Sequence, residues 1–233
     1  KLLLGFRGIK MKKLFSIIVS LVLLILIGNT YHTPKARAAV PTPNITSEFS
    51  YKMRKNALYM AYYALNDKTY PIGTGLEFAS KVRPGGEWDY KQTYGATTTY
   101  IFGGMTVRGE DLGNMHYGYV GSASGFSSTL LKSAAGAVQI YSGTSYIGWY
   151  KTYFDDPRDQ TFISKGISYW ENGNLPTKST SSLILQSDGN ENLRTTFTEL
   201  DFSELTKEEK EAIKRKAEEN TKIILEELNK NNK

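Results

Sequence analysis

One glycine-rich segment near the middle of the chain decides how the helices around it can pack: Gly113-Asn114-Met115-His116-Tyr117-Gly118-Tyr119-Val120-Gly121. Apolar residues at helical spacing continue from it and predict a helix from about residue 117 to residue 139. Glycine costs a helix ~1 kcal/mol relative to alanine. The glycines at 118, 121 and 125 therefore indicate that another part of the molecule approaches this backbone closely.

The rest of the chain predicts a helix-rich α+β single domain with one or two small β-hairpins. Further helices are expected at 46–66 with Thr46 or Ser47 as the cap, at 76–82, at 156–170, and after the capping box Thr206-Lys207-Glu208-Glu209. Short β-strands are expected on either side of Gly103-Gly104 and in a Ser- and Thr-rich stretch: 97–102, 105–108, 182–186 and 193–198.

The N-terminal segment has the pattern of an export signal. From Met11 a lysine pair precedes fourteen uncharged residues, Leu14 to Ile27, and a small-x-small pattern ends at Ala38. A membrane-spanning helix needs ~20 apolar residues. We therefore expect a signal peptide cleaved after Ala38, a secreted protein, and membrane contact through this segment only. An uncleaved N-terminal anchor is the alternative, since the stretch before Ala38 is long for a signal.

The expected domain boundaries change the net charge of the part of the chain that would carry the function. Residues 1–38 are assigned to upstream sequence (1–10) plus the signal peptide, 39–46 to a linker, 47–202 to the main domain and 203–233 to a charged C-terminal helix. The chain has 29 Lys and Arg against 23 Asp and Glu, but seven bases and no acid precede residue 39. The expected mature chain thus has no excess of bases. Nucleic-acid-binding domains usually carry a basic surface, so only a local patch is left for that role.

Several chemistries are excluded by the residues that the sequence lacks. It contains no cysteine, which excludes disulfides, a cysteine nucleophile and a thiolate zinc site. His116 is the only histidine after the leader, so a conventional zinc site is not expected and no cofactor is predicted. A hard cation held by aspartates stays compatible with the sequence. Motifs of serine hydrolases, zinc peptidases and P-loop proteins do not occur.

Three segments place polar residues beside glycine and aromatic residues: Gly85-Gly86-Glu87-Trp88-Asp89-Tyr90-Lys91, the 113–121 segment, and Asp155-Asp156-Pro157-Arg158-Asp159-Gln160. In this order and spacing they resemble the polymorphic toxin type 44 family over roughly residues 76–170. The resemblance implies a toxin effector domain used against competing bacteria and acting as an enzyme, with nuclease activity as one expectation. Such domains commonly end long delivery proteins, whereas this chain carries a signal segment, which leaves the delivery route and the substrate open.

His116 and Asp89 are the residues expected to transfer protons. His116 should lie where a glycine-flanked loop enters a helix, and histidine titrates near neutral pH; a hydrogen-bonded structural histidine is the alternative. Asp89 lies between Trp88 and Tyr90, and burial against an aromatic wall would make it a general acid. A turn or an ion pair with Lys91 is its alternative role. Lys91 is expected to contact an anion or polarise a carbonyl, or to pair with the acid.

Residues for substrate binding and assistance are expected in the same segments. Trp88, Asn114 and Tyr117 are assigned to substrate binding, with loop orientation as the alternative for Asn114. Asp156, Pro157 and Asp159 have the pattern of a helix N-terminus, in which Asp156 caps and Asp159 complements the helix dipole. Asp155 has no role in this helix N-terminus, and it is expected to face a cleft or a cation. If these aspartates lie near Asp89, they form a carboxylate pair suited to acid/base hydrolysis.

Taken with the resemblance and the expected export signal, these residues favour an exported antibacterial toxin-like hydrolase that attacks the cell envelope, with peptidoglycan as substrate, by general acid/base catalysis. A secreted RNase toxin with RNA as substrate is one alternative, and a non-enzymatic secreted binding module is another. A dedicated immunity protein is a further conceivable partner. A basic cleft at the site would favour nucleic acid, whereas a neutral aromatic groove would favour a glycan or a peptide.

Overall fold

The computed structural model consists mainly of helices, with one small hairpin. The structure describes residues 41–142, 151, 155–177 and 200–231. Its helices are α1 Thr46–Asn66, α2 Ile72–Val82, α3 Tyr90–Tyr94, α4 Gly109–Ala123, α5 Ser128–Ser142, α6 Pro157–Glu171 and α7 Lys207–Asn231. Strands β1 Thr99–Phe102 and β2 Met105–Arg108 pair antiparallel between α3 and α4. The helix-rich α+β prediction is confirmed. The leader and the strands predicted at 182–186 and 193–198 lie outside the described residues.

Helix α1 runs through the centre of the main core. Its residues Phe49, Met53 and Met60 are completely buried. The predicted span 46–66 is confirmed, but the predicted cap is wrong: the N-cap is Ile45, and the Asn44 side chain accepts a hydrogen bond from the Thr46 amide at 3.1 Å. Helix α2 begins four residues earlier than predicted.

The buried carboxylate of Asp67 explains this earlier start of α2. One oxygen accepts from the amide of Thr69 at 2.8 Å and the other from the amide of Thr74 at 2.6 Å. The first turn of α2 would otherwise leave amide groups without partners, so Asp67 satisfies a donor that the apolar pattern of the sequence does not reveal.

Helices α4 and α6 pack through two glycines. A Cβ atom at Gly118 would overlap the carbonyl oxygen of Ile163, and one at Gly166 would overlap the carbonyl oxygen of Met115. Asn114 contacts Asp159 near the start of both helices, and Tyr119 contacts Trp170 further along, so the two helices run in the same direction. The close backbone approach predicted for Gly118 is confirmed.

The helix predicted over 117–139 is wrong in its limits. Helix α4 begins at Gly109 and ends at Ala123, and α5 begins only at Ser128. Gly125 separates them with a φ of 86°, a conformation that glycine adopts at little cost and that ends a helix. His116 therefore lies inside a helix and not in the loop that leads into one.

Helix α7 packs along α1 through a second, smaller apolar cluster. Ile213 and Ala217 pack there with Leu58, Tyr63 and Leu205. The predicted capping box is confirmed: the Thr206 amide donates to the Glu209 carboxylate at 2.8 Å, and the Glu209 amide donates to the Thr206 hydroxyl at 3.1 Å. In the described part of the chain, every helix is too short or too polar to cross a membrane.

We predict that Gly118→Ala and Gly166→Ala each destabilise the protein by about 3 kcal/mol, because the added methyl group must push α4 and α6 apart. Urea unfolding of the purified variants measures this free energy. Gly75→Ala is the matched control, since a Cβ there meets its nearest neighbour, Phe126, at an ordinary 3.9 Å. The control should gain up to ~1 kcal/mol from helix propensity. Wild-type stability in Gly118→Ala would contradict the packing argument.

Candidate active site

An ion pair joins the first turns of α4 and α6. The Arg158 guanidinium donates from Nε to Asp111 Oδ1 at 2.8 Å and from Nη2 to Asp111 Oδ2 at 2.6 Å. Asp111 is 0% exposed and also accepts from the Arg108 amide at 2.7 Å, which caps the start of α4. Because bidentate pairs of this kind fix both distance and orientation, they hold the two helix N-termini side by side.

Asp159 lies next to this ion pair and titrates close to neutral pH. It accepts a hydrogen bond from Asn114 Nδ2 at 2.7 Å. Burial raises the pKa of Asp159 from 3.8 to about 6; Lys91 opposes the rise, and Asp155, Asp156 and Glu110 add to it. A carboxyl group with this pKa can exchange a proton with a substrate at physiological pH.

Lys91 reaches the same place from the short helix α3. Its side chain is exposed, and its charge lowers the pKa of Asp159. Lys91, Asn114 and Asp159 come from the three different polar segments of the sequence. Asn114 hydrogen-bonds Asp159, and Lys91 acts on Asp159 through its charge, so we call these three residues the Asp159 site.

The two other aspartates beside Asp159 have structural partners. Asp156 accepts from the Arg158 amide at 2.7 Å, and Pro157 is the first residue of α6, so the predicted helix cap is confirmed. Asp155 is buried and accepts from Gln160 Nε2 at 2.6 Å. Its charge acts on the Asp159 site and also raises the pKa of Tyr117, after the larger effect of burial.

Asp89 stabilises the loop that precedes Lys91. Its Oδ2 accepts from the Gly85 amide at 2.9 Å, and its own amide donates to the Gly86 carbonyl at 3.1 Å. A Cβ at Gly86 would overlap the carbonyl oxygen of Lys81, so this bend requires glycine. The described contacts of Asp89 are therefore those of a turn residue, the alternative that the sequence offered.

His116 lies in the core below the site. It is 0% exposed, which differs from the approachable loop position expected from the sequence. Its Nε2 is 2.9 Å from Asn56 Nδ2, and the rings of Tyr90 and Trp88 pack against it with centroid distances of 4.7 and 5.3 Å. Burial lowers the pKa of His116 to about 3, so the ring is neutral at physiological pH.

The expected substrate-binding aromatic residues also belong to the core. Trp88 is buried between His116 and Lys81, whose ammonium lies 4.7 Å from its ring centroid. The Tyr117 hydroxyl donates to the Leu131 carbonyl at 3.0 Å. Of the three residues expected to bind substrate, Asn114 is the one that lies in the Asp159 site.

Comparison with known families identifies the segment that carries this site. Residues 77–172 match the sequence model of the bacterial toxin 44 family. This segment of the chain is similar to bacterial toxin 44 domains. The matched segment includes Lys91, Asn114 and Asp159, and the family resemblance inferred from the three polar motifs is confirmed. No curated protein and no solved structure matches the chain.

The matched segment also has residues that sequence reasoning overlooked. Arg158 was given no role from the sequence, although its side chain joins α4 to α6. Asp111 and Glu110 were missed because the start of α4 was not predicted. An acid three residues after Arg108 and just before an apolar helical pattern is the signal that would have revealed a helix cap there.

Two further features of the domain lie away from the Asp159 site. Glu77 is buried and accepts hydrogen bonds from Tyr59 and Lys216, each at 2.7 Å. At the opposite end of the α4–α6 pair, Tyr119 and Trp170 line a groove. Within the described ranges, no three His, Asp or Glu side chains are grouped so that they could hold a metal ion.

We predict that Asp159→Asn changes how stability depends on pH. The folded pKa of about 6 lies above the ordinary 3.8, so the folded state binds this proton more tightly than the unfolded state. The resulting stabilisation is present below pH ~4 and is lost as pH rises through ~6. Relative to Asp159→Asn, the wild-type free energy of unfolding should fall by about 1 kcal/mol over this range, after allowance for partial exposure.

Urea unfolding at pH 4, 5, 6 and 7 measures this difference, and the Asn side chain keeps an oxygen that can accept from Asn114. Asp201→Asn is the control for the same chemical change at an exposed site. Its carboxylate pKa is lowered by the Ser203 amide and hydroxyl, so the difference from wild type should have the opposite sign. Parallel stability curves for wild type and Asp159→Asn would show that Asp159 has an ordinary pKa.

Proposed function

We propose that this bacterial toxin is an exported hydrolase that cleaves peptidoglycan in the cell envelope, with Asp159 as its general acid and base. The observation that carries the proposal is the half-buried Asp159 carboxyl with a pKa of about 6, held by Asn114 beside Lys91. A group with a pKa near the working pH is both protonated often enough to donate and basic enough to take the proton back.

Each residue of the Asp159 site has a role in this reaction. Asp159 donates its proton to the departing atom of the scissile bond while water attacks, and the water then returns a proton to the Asp159 carboxylate. The hydrogen bond from Asn114 occupies Oδ1 and fixes the plane of the carboxyl group. Lys91 supplies a positive charge that stabilises negative charge developing on the substrate.

The charge around Asp159 favours an uncharged polymer over a polyanion. Five acids lie at the starts of α4 and α6: Glu110, Asp111, Asp155, Asp156 and Asp159. The neighbouring arginines are engaged, since Arg158 pairs with Asp111 and Arg108 pairs with Glu110 at 2.8 Å. Nucleic-acid binding depends on bases that neutralise phosphates, and both of these arginines are already paired with acids.

The expected export signal supports the same substrate. An exported enzyme meets the cell envelope first, whereas an RNase would have to enter a target cell. The buried His116 also removes the imidazole that an RNA-cleaving acid/base pair would use at the surface. We therefore assign proton transfer to Asp159 and not to His116.

The test is to incubate purified residues 39–233 with peptidoglycan sacculi and, in parallel, with total RNA. We expect wild type to release soluble fragments from sacculi, and Asp159→Asn to lose activity at least ~100-fold. Asp201→Asn, the same change at an exposed distant carboxylate, should keep wild-type activity. Above pH ~6 the rate should fall about tenfold per pH unit, because Asp159 loses its proton.

Other outcomes separate the alternatives. Degraded RNA with intact sacculi would show an RNase toxin and overturn the envelope assignment. If neither substrate changes, a non-enzymatic binding module is favoured. Activity on sacculi that survives in Asp159→Asn would keep the substrate class but remove Asp159 from the mechanism.

A further inference from the structure

We infer that His116 is a positioning residue: its buried ring, through Asn56 and Tyr90, holds the helix that carries Lys91 at the correct place beside Asp159. The catalytic consequence of this inference rests on the proposed function. The positional claim does not, because it concerns only the spacing between two side chains of this protein.

Folding stability alone does not explain why the buried residue at position 116 is a histidine. It is fully buried between Phe49, Trp88 and Tyr90, in a site that an apolar ring of similar size would fill. Its Nδ1 has no hydrogen-bond partner among the described residues. A buried polar group without a partner costs about 1–3 kcal/mol. The hydrogen bond at Nε2 must therefore have a use that an apolar ring could not supply.

That use is to orient the amide of Asn56. The Asn56 Nδ2 group lies 2.9 Å from His116 Nε2 and 2.9 Å from the Tyr90 hydroxyl oxygen. One N–H points to each acceptor, so Nε2 is the unprotonated nitrogen of the ring. Because His116 fixes one N–H, the other is aimed at Tyr90. His116 thus connects α4, α1 and the first residue of α3.

Helix α3 depends on such anchors to hold its place. It has five residues, too few for its own backbone hydrogen bonds to stabilise it. Its buried residues are Tyr90 and Tyr94, and Lys91 follows directly after Tyr90. On α4, Asn114 lies two residues before His116. The same helical turn therefore carries Asn114, which contacts Asp159, and His116, which contacts Asn56. His116 is therefore linked to Asn114 through α4, and to Lys91 through Asn56 and Tyr90.

Two variants of His116 separate its ring from its hydrogen bond. His116→Phe keeps an aromatic ring but removes the acceptor, whereas His116→Gln removes the ring and keeps an oxygen that can accept from Asn56. The readout is the pKa of Asp159, followed by NMR of its carboxyl carbon without substrate. The groups around Asp159 are Lys91 on α3, Glu110 on α4, Asp155 and Asp156 before α6, and Arg158 on α6. Lys91 lowers the pKa of Asp159, whereas Glu110, Asp155 and Asp156 raise it. The Arg158 guanidinium also interacts with Asp159 but is held by Asp111 in all of these variants.

We expect His116→Phe to raise the pKa of Asp159 by about half a unit as Lys91 moves away, and His116→Gln to leave it near the wild-type value. Lys91→Met should raise it at least as much. Adding His116→Phe to Lys91→Met should then have no further effect. Ile213→Val, a core change on α7, controls for general destabilisation and should leave the pKa unchanged.

Tyr90→Phe removes one hydroxyl group and provides a second route if His116→Phe fails to fold; it should raise the pKa of Asp159 in the same direction. An unchanged pKa in either folded variant would overturn the inference, and so would additive effects of His116→Phe and Lys91→Met. On the substrate found for the toxin, His116→Phe should lower kcat with little change in KM. The titration keeps its meaning even if that substrate is not peptidoglycan.

Discussion

Gly118 and Gly166 each lie against the backbone of the opposite helix and so determine how close α4 and α6 can lie, and the candidate site depends on that distance. Packed helices are usually 8–10 Å apart, with the side chains at the contact setting the value. Here backbone meets backbone, and the helices run in the same direction. Their N-termini therefore lie side by side, within reach of short side chains. Asn114 can hydrogen-bond Asp159 only because no Cβ atom separates the helices.

The same arrangement concentrates unfavourable electrostatics at the candidate site. An acid in the first turn of a helix normally gains from the helix dipole, which lowers its pKa. Asp159 behaves in the opposite way, because its burial and the neighbouring acids outweigh the dipole and Lys91. The bidentate pair of Arg158 with Asp111 offsets this by holding the two helix ends together. Destabilised groups supported by a rigid frame are typical of functional sites.

The sequence predicted the elements whose signals are local. Helix α1, the hairpin, the start of α6 and the capping box of α7 were predicted because apolar spacing, Gly103-Gly104 and capping residues act over a few positions. The limits of α4 and α5 were not predicted. Apolar residues at helical spacing continue across Gly125, so the pattern does not reveal that one helix ends there and another begins. The approach of Lys91, Asn114 and Asp159 depends on packing between distant segments. The burial of His116 could not be read from its glycine-rich surroundings for the same reason.

Helix α1 has a consequence for the limits of the folding unit. The family match begins at Glu77, yet α1 precedes it and contributes Phe49 and Met53 to the main core and Asn56 to the contact with His116. A recombination event that exchanged only residues 77–172 between toxins would leave the core without its central helix. The segment that folds together is therefore longer than the segment that the family model matches, and it includes α1 and the residues just before it, since Pro43 and Ile45 pair with Ile101 of β1.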